Sequence, residues 1–229
     1  MNARESLMAA RFFLNIERIM GLCKLAWSEV DGFEPAGLFR IEGTRGDIFR
    51  AIVVFMHATF EDVLNSTAHQ NNKKIAFYSG ADIDKALRRA GLDPTPFKPL
   101  YRPLSQMAKR RKRIVHEADL PKRSDSAPEP WGVADHWQLI MWLTVILTFH
   151  SRLCVSLDPA DQIEQVRYSK LKEAMDGIVH FGKQLLGFPT VSPEMRTKTL
   201  EDVLEILNRV SSLLKESSNL RILARHQGI

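Results

Sequence analysis

With 229 residues and 45% apolar side chains, the chain can bury a substantial core, which excludes an intrinsically disordered protein. Its net charge of +5 admits an anionic partner without requiring one. Two cysteines far apart, Cys23 and Cys154, exclude a disulfide framework and read as buried thiols of a protein in a reducing cytoplasm.

Strand signals are nearly absent, and between Pro- and Gly-containing breaks the chain reads as successive helices. The expectation is therefore an all-α helical bundle. Met1–Glu5 does not open a signal peptide, because no uninterrupted apolar stretch follows. A first helix is predicted over about 4–29, ending before Asp31-Gly32, with a loop from Glu34-Pro35 to Gly43. The next helix, about 46–66, is apolar nearly all round (Phe49, Ile52, Val53, Val54, Phe55, Met56, Phe60, Val63, Leu64) and is expected at the centre of the bundle. Arg50, His57 and Glu61 form a single polar seam along it. Of these, Arg50 and His57 read as structural, while Glu61 either orients a functional residue or makes a packing salt bridge.

A short helix is predicted from Ser79 to Gly91, with Ser79 or Asp82 at its start. Pro94 and Pro96 lead into a helix of about 97–117. Pro121–Pro130, rich in Pro, Ser and charge, reads as a loop placed to cover a site at the end of that helix. An apolar helix of about 132–154 follows. Its longest apolar run, Trp137 to Phe149, falls short of the ~20 residues a membrane span needs, so no membrane partner is expected. Trp131, Trp137 and Trp142 suit either base stacking or, at helical spacing, a core. Helices of about 160–186 and 195–217 complete the chain, the last with an amphipathic stripe from Leu200 to Leu213. No metal-ligand spacing and no phosphate-binding glycine loop occurs, so no cofactor or metal is expected.

The most informative segment is Lys109-Arg110-Arg111-Lys112-Arg113-Ile114-Val115-His116-Glu117. Turning about 100° per residue from Leu104, one face collects Leu104, Met107, Ala108, Arg111, Ile114 and Val115. Arg111 thus sits inside an apolar stripe, where a guanidinium is costly to bury unless an acid meets it. Lys109 and Arg113 point the other way. His116 lies roughly 140° round the helix from Arg111, too far for one helix to grip a small group with both, though two copies of the helix can. A run of basic residues like this one reads either as a solvated face or as an attraction for polyanions.

Arg111-x4-His116, followed by Glu117-Ala118-Asp119-Leu120, resembles the R-x(4–6)-H signature of the HEPN superfamily of small α-helical proteins. Pro130–Gln138 with its apolar helix resembles the final helix of such domains. The resemblance covers about residues 42–155 and implies an up-and-down bundle there. Within a single domain of 1–229, the earlier helices are then additional and 156–229 is a C-terminal helical extension. It further implies a metal-independent endoribonuclease acting across a homodimer, with Arg111, His116 and Glu61 as the catalytic set and Arg110, Lys112 and Arg113 as RNA-binding residues. RNA, a second copy and an antitoxin or defence-system protein are the partners it suggests. Lys112 departs from the small polar residue usual after the motif Arg. The other reading is a non-catalytic interaction module or RNA binder in which Arg111 is tied to Glu61.

Overall fold

The computed structural model describes residues 3–28, 38–68, 76–117 and 133–160, with 162, 165–166 and 168–173 beyond them. Among the described residues there is no strand, and the fold is all-α. Among these residues the α-helices include, in chain order, α1 (Ala3–Ser28), α2 (Leu38–Thr67), α3 (Gly80–Arg89), α4 (Tyr101–Glu117) and α5 (Val133–Leu157), with a 3-10 segment at Thr95–Leu100. The chain forms two compact units, Met1–Ile146 and Leu147–Ile229, the division falling inside α5.

In the first unit α2 is the hub, packing against α1, α3 and α4. Its apolar residues explain this: Phe49, Ile52, Val53, Met56, Phe60, Val63 and Leu64 are buried, and they meet Phe12, Ile16, Ile19 and Met20 on the inward face of α1 and Leu104, Met107 and Ala108 on that of α4 as one core. Not every apolar residue of α2 is enclosed. Phe55 is 46% exposed. α2 also begins at Leu38, earlier than its sequence suggests, and runs through Gly43 and Gly46. Glycine costs an α-helix about 1 kcal/mol against alanine, a bias that tertiary packing routinely overrides.

α3 is bounded by local chemistry at both ends. Ser79 is its N-cap residue, and the Asp82 carboxylate accepts from the backbone N–H groups of Tyr78 (3.0 Å) and Ser79 (2.9 Å). At the other end Gly91 takes a φ of +74°, and the Leu92 N–H reaches back to the Leu87 carbonyl at 2.9 Å, closing the helix in a Schellman turn. The prolines at 96 and 99 lack the donor an α-helix needs, and the chain forms a 3-10 turn before α4 starts at Tyr101. The Tyr101 hydroxyl donates to Asp84 at 2.5 Å, tying the start of α4 to α3.

On α5, Leu139, Ile140, Trp142, Leu143, Val145 and Ile146 are buried. Trp142 is a core residue. In the second unit Leu147, Phe149, Leu153 and Leu171 are buried, and Arg152 lies over the Tyr168 ring, 5.1 Å from its centroid. The stretch Gln138–Leu157 is long and apolar enough to cross a membrane by length and composition, and 72% of it is buried within the protein, as expected of a core helix. Neither cysteine forms a disulfide, and burial pushes the Cys23 thiol up to about 12. The segment 121–130, the helix expected at 195–217 and most of that at 160–186 lie outside the described residues, as do the side chains of Trp131, Trp137, Asp135 and Glu117.

Candidate functional site at the end of α4

α4 packs its first three turns on α2 and then outruns the core. Leu104 and Met107 are fully buried and Ala108 is nearly so. Further along the same stripe Arg111 and Ile114 are only half-buried, and Val115 is 48% exposed. The apolar stripe legible in the sequence is therefore real, but its last third is uncovered by the described core. Arg111 sits at that edge. A guanidinium there keeps part of its hydration, so the demand for an acidic partner is relaxed.

Glu61, the acid within reach on α2, is occupied elsewhere. Its Oε1 accepts the Phe77 backbone N–H at 2.9 Å, and its Oε2 stands 3.6 Å from His57 Nδ1. One turn earlier on α2, His57 Nε2 meets the Phe77 carbonyl at 2.9 Å. A carbonyl only accepts, so Nε2 carries the proton and donates. Two side chains of α2 thus hold both backbone polar groups of one residue, Phe77, whose ring is stacked on His57 and edge-on to Phe60 with centroids 4.9 Å apart. Phe77 is fully buried, and an unmet N–H or carbonyl there is costly.

Burial holds the His57 imidazole below its ordinary pKa. The Glu61 carboxylate and the Phe77 carbonyl oppose that shift, and the Arg111 charge adds to it. His57 is therefore a neutral, satisfied core histidine, and Arg111 is close enough for its field to reach it. Among the described residues, however, no acid lies within ion-pairing distance of Arg111. Arg50, the third member of the α2 seam, pairs with Asp47 at 2.9 Å.

The remaining predicted site residues diverge. Lys112 and His116 are exposed, while Arg110 and Arg113 are half-buried. On a helix of 100° per residue the five consecutive cations, Lys109–Arg113, spread over all sides, so they form no single patch. Within one chain Arg111 and His116 are separated by about 7.5 Å along the axis and roughly 140° around it, and they do not converge. The sequence reading grouped Arg110, Lys112 and Arg113 by adjacency and missed Arg102. That residue lies at nearly the same helical angle as Lys109 and Arg113, a relation visible at spacings of seven and eleven. No group of three or more His, Cys, Asp or Glu converges among the described residues in a way that would hold a metal ion. No family model matches the chain, and no curated protein or solved structure resembles it significantly.

Proposed function

We propose that this chain is a metal-independent endoribonuclease of the HEPN type, whose site is completed by a second copy. The observation that carries the reading is the state of Arg111: half-buried at the edge of the core, and without an acid in ion-pairing range among the described residues, Glu61 instead accepting the Phe77 N–H. A scaffold arginine would be expected to hold that carboxylate. The half-covered Ile114 and exposed Val115 beside it suit contact with a second α4.

In this reading Arg111 of one protomer and His116 of its partner meet on one scissile phosphate. The ribose 2′-OH attacks phosphorus, the bond from phosphorus to the 5′ oxygen breaks, and the products are a 2′,3′-cyclic phosphate and a 5′-OH. His116, an exposed imidazole, moves the proton. Arg111, permanently charged, meets two phosphate oxygens and stabilises the charge that develops on them. Glu61 acts at one remove, positioning the α2 surface on which Arg111 rests. Arg110, Lys112 and Arg113 draw in the RNA backbone. A cytoplasmic toxin–antitoxin or phage-defence setting, with an antitoxin or defence protein as a further partner, follows from the resemblance alone. The rival is a non-catalytic interaction module, and Lys112, in place of a small polar residue after Arg111, favours it.

The test is cleavage of single-stranded RNA in EDTA by the wild type, Arg111→Ala and His116→Ala. Loss of cutting in both variants, with folding intact, is the expected result. No cutting by any of the three, or equal cutting by all, overturns the proposal. Mixing the two inactive variants separates a shared site from a single-chain one. In a two-fold dimer the mixture recovers about a quarter of the activity, since about half the dimers are mixed and each holds one intact site. A site within one chain recovers nothing.

A further inference from the structure

α4 has a second polar face, on the side away from Arg111. Arg102, Gln106, Lys109, Arg113 and His116 recur at spacings of four, three, four and three. At 100° per residue they fall within an arc of about 80°, centred roughly opposite the buried Leu104, and they span about 21 Å of helix. Arg102, Gln106, Lys109 and His116 are exposed, and Arg113 is half-exposed. No acid interrupts the line, and α4 carries none before Glu117.

Some other cations of the same unit are answered by acids, although Arg18, Lys85 and Arg89 have none within ion-pairing range among the described residues. Arg11 of α1 lies 3.6 Å from Asp62, and Arg50 pairs with Asp47. Arg88 of α3 and Lys98 of the 3-10 turn lie in the field of Asp93, whose carboxyl is held below its usual range chiefly by the Thr95 N–H and hydroxyl, with those two cations adding to it. Among the described residues no acid stands within ion-pairing range of Arg102, Lys109 or Arg113. Lys109 and Arg113 are moreover like charges one turn apart, an arrangement that works against the helix and that a purely structural face would replace with an acid at one position.

We propose that this stripe docks the phosphate backbone of a double-helical nucleic acid, RNA or DNA alike; it lies across the helix from the Arg111 of the same chain and shares Arg113 and His116 with the nuclease reading. The partner class follows from what the stripe contains and lacks. It has cations along a straight, rigid rail, and no aromatic side chain on which an unpaired base can stack. It therefore reads charge rather than bases. A duplex offers one charge per ~1.7 Å of axis, against ~3.4 Å for each of its strands, and so makes the denser partner. Arg111 lies on the opposite side of the helix, so one strand segment cannot engage both faces. The inference does not depend on the nuclease reading.

The test is equilibrium binding of 21-base-pair RNA and DNA duplexes and of the matching single strands, in EDTA and across a salt series, to the full chain. The variants are Arg102→Gln, Lys109→Gln and Arg113→Gln, singly and together, with Arg18→Gln on α1 as control. Both duplexes are expected to bind alike and more tightly than single strands. Each substitution should weaken binding about eightfold near 0.1 M salt and flatten the salt slope by about 1. Lys109→Gln alone, at an exposed position, carries the test if the triple variant fails to fold. The proposal is overturned if Lys109→Gln binds as the wild type does or if single strands bind more tightly than duplexes. Uptake onto phosphatidylserine vesicles with no duplex binding would overturn it too, marking the face as a membrane-surface contact. Duplex binding retained in Arg111→Ala alongside lost cleavage supports two separate faces; cleavage absent from every form leaves the duplex result standing by itself.

Discussion

The polar residues of α2 and those of α4 are put to different uses. On α2 each member of the seam is engaged from within: Arg50 Nη1 by Asp47, His57 by the Phe77 carbonyl, and Glu61 by the Phe77 N–H, although the buried Arg50 Nε has no hydrogen-bond partner among the described residues. On α4 Arg102, Lys109, Arg111 and Arg113 have no such acid among the described residues. Polar groups inside a core must be paired because desolvation makes an unpaired one expensive, whereas a cation at the surface can be kept for a ligand. The seam of α2 is thus engaged within the fold, and it is the cations of α4 on which the proposed binding rests.

That contrast can be broken by substitutions that separate stability from activity. The largest expected effect is on rate: His116→Ala should lower EDTA-resistant RNA cleavage by about 10²–10⁴-fold, the usual contribution of a general acid or base. Its urea-unfolding free energy should stay within ±0.5 kcal/mol of wild type, as for most surface changes. A variant that lost stability and kept its rate would reverse the assignment. Next comes Phe60→Ala on α2. Phe60 is fully buried against Phe77, and the change should cost about 3–5 kcal/mol in the same unfolding assay. Glu61→Ala leaves the buried Phe77 N–H without its acceptor and should cost about 1–3 kcal/mol. If Glu61→Ala instead unfolds like wild type while cleavage collapses, Glu61 belongs to the site and not to the scaffold.

Some of this was legible in the sequence. The apolar density of α2 marked it as the hub, because a helix with so little polar surface must be covered. Ser79, Asp82 and Gly91 marked α3, because capping and the left-handed turn are local chemistry that a short window contains. The stripe that placed Arg111 among apolar residues is a matter of helical period and was equally visible, whereas its position at the edge of the core was not. What escaped depends on distance along the chain. Nothing in the spacing of His57 and Glu61 indicates that both would bond the backbone of Phe77, 20 and 16 residues away. Glu61 looked available for Arg111 for that reason. The early start of α2 escaped as well, because Gly43 and Gly46 are read locally as breaks and packing decides otherwise. The stripe through Arg102 was hidden by the dense run beside it, which draws the eye to adjacency rather than to period.

The smallest predicted effect probes the clamp through pH. His57 is buried neutral, with a folded pKa below the unfolded value of about 6.5, so the unfolded chain takes up a proton at a pH where the folded one does not. Stability from this group is therefore complete above about 6.5 and is lost as pH falls toward the folded pKa. His57→Gln retains a donor for the Phe77 carbonyl and removes the titration. Urea unfolding at pH 7.5 and 5.5 should show a smaller loss for His57→Gln than for the wild type, the difference between the two losses isolating His57 from the other titrating groups. An equal loss would mean that His57 is protonated in the folded state as readily as in the unfolded one. The Glu61 carboxylate would then outweigh burial and Arg111 together, and the α2 seam would hold a buried ion pair instead of a neutral hydrogen bond.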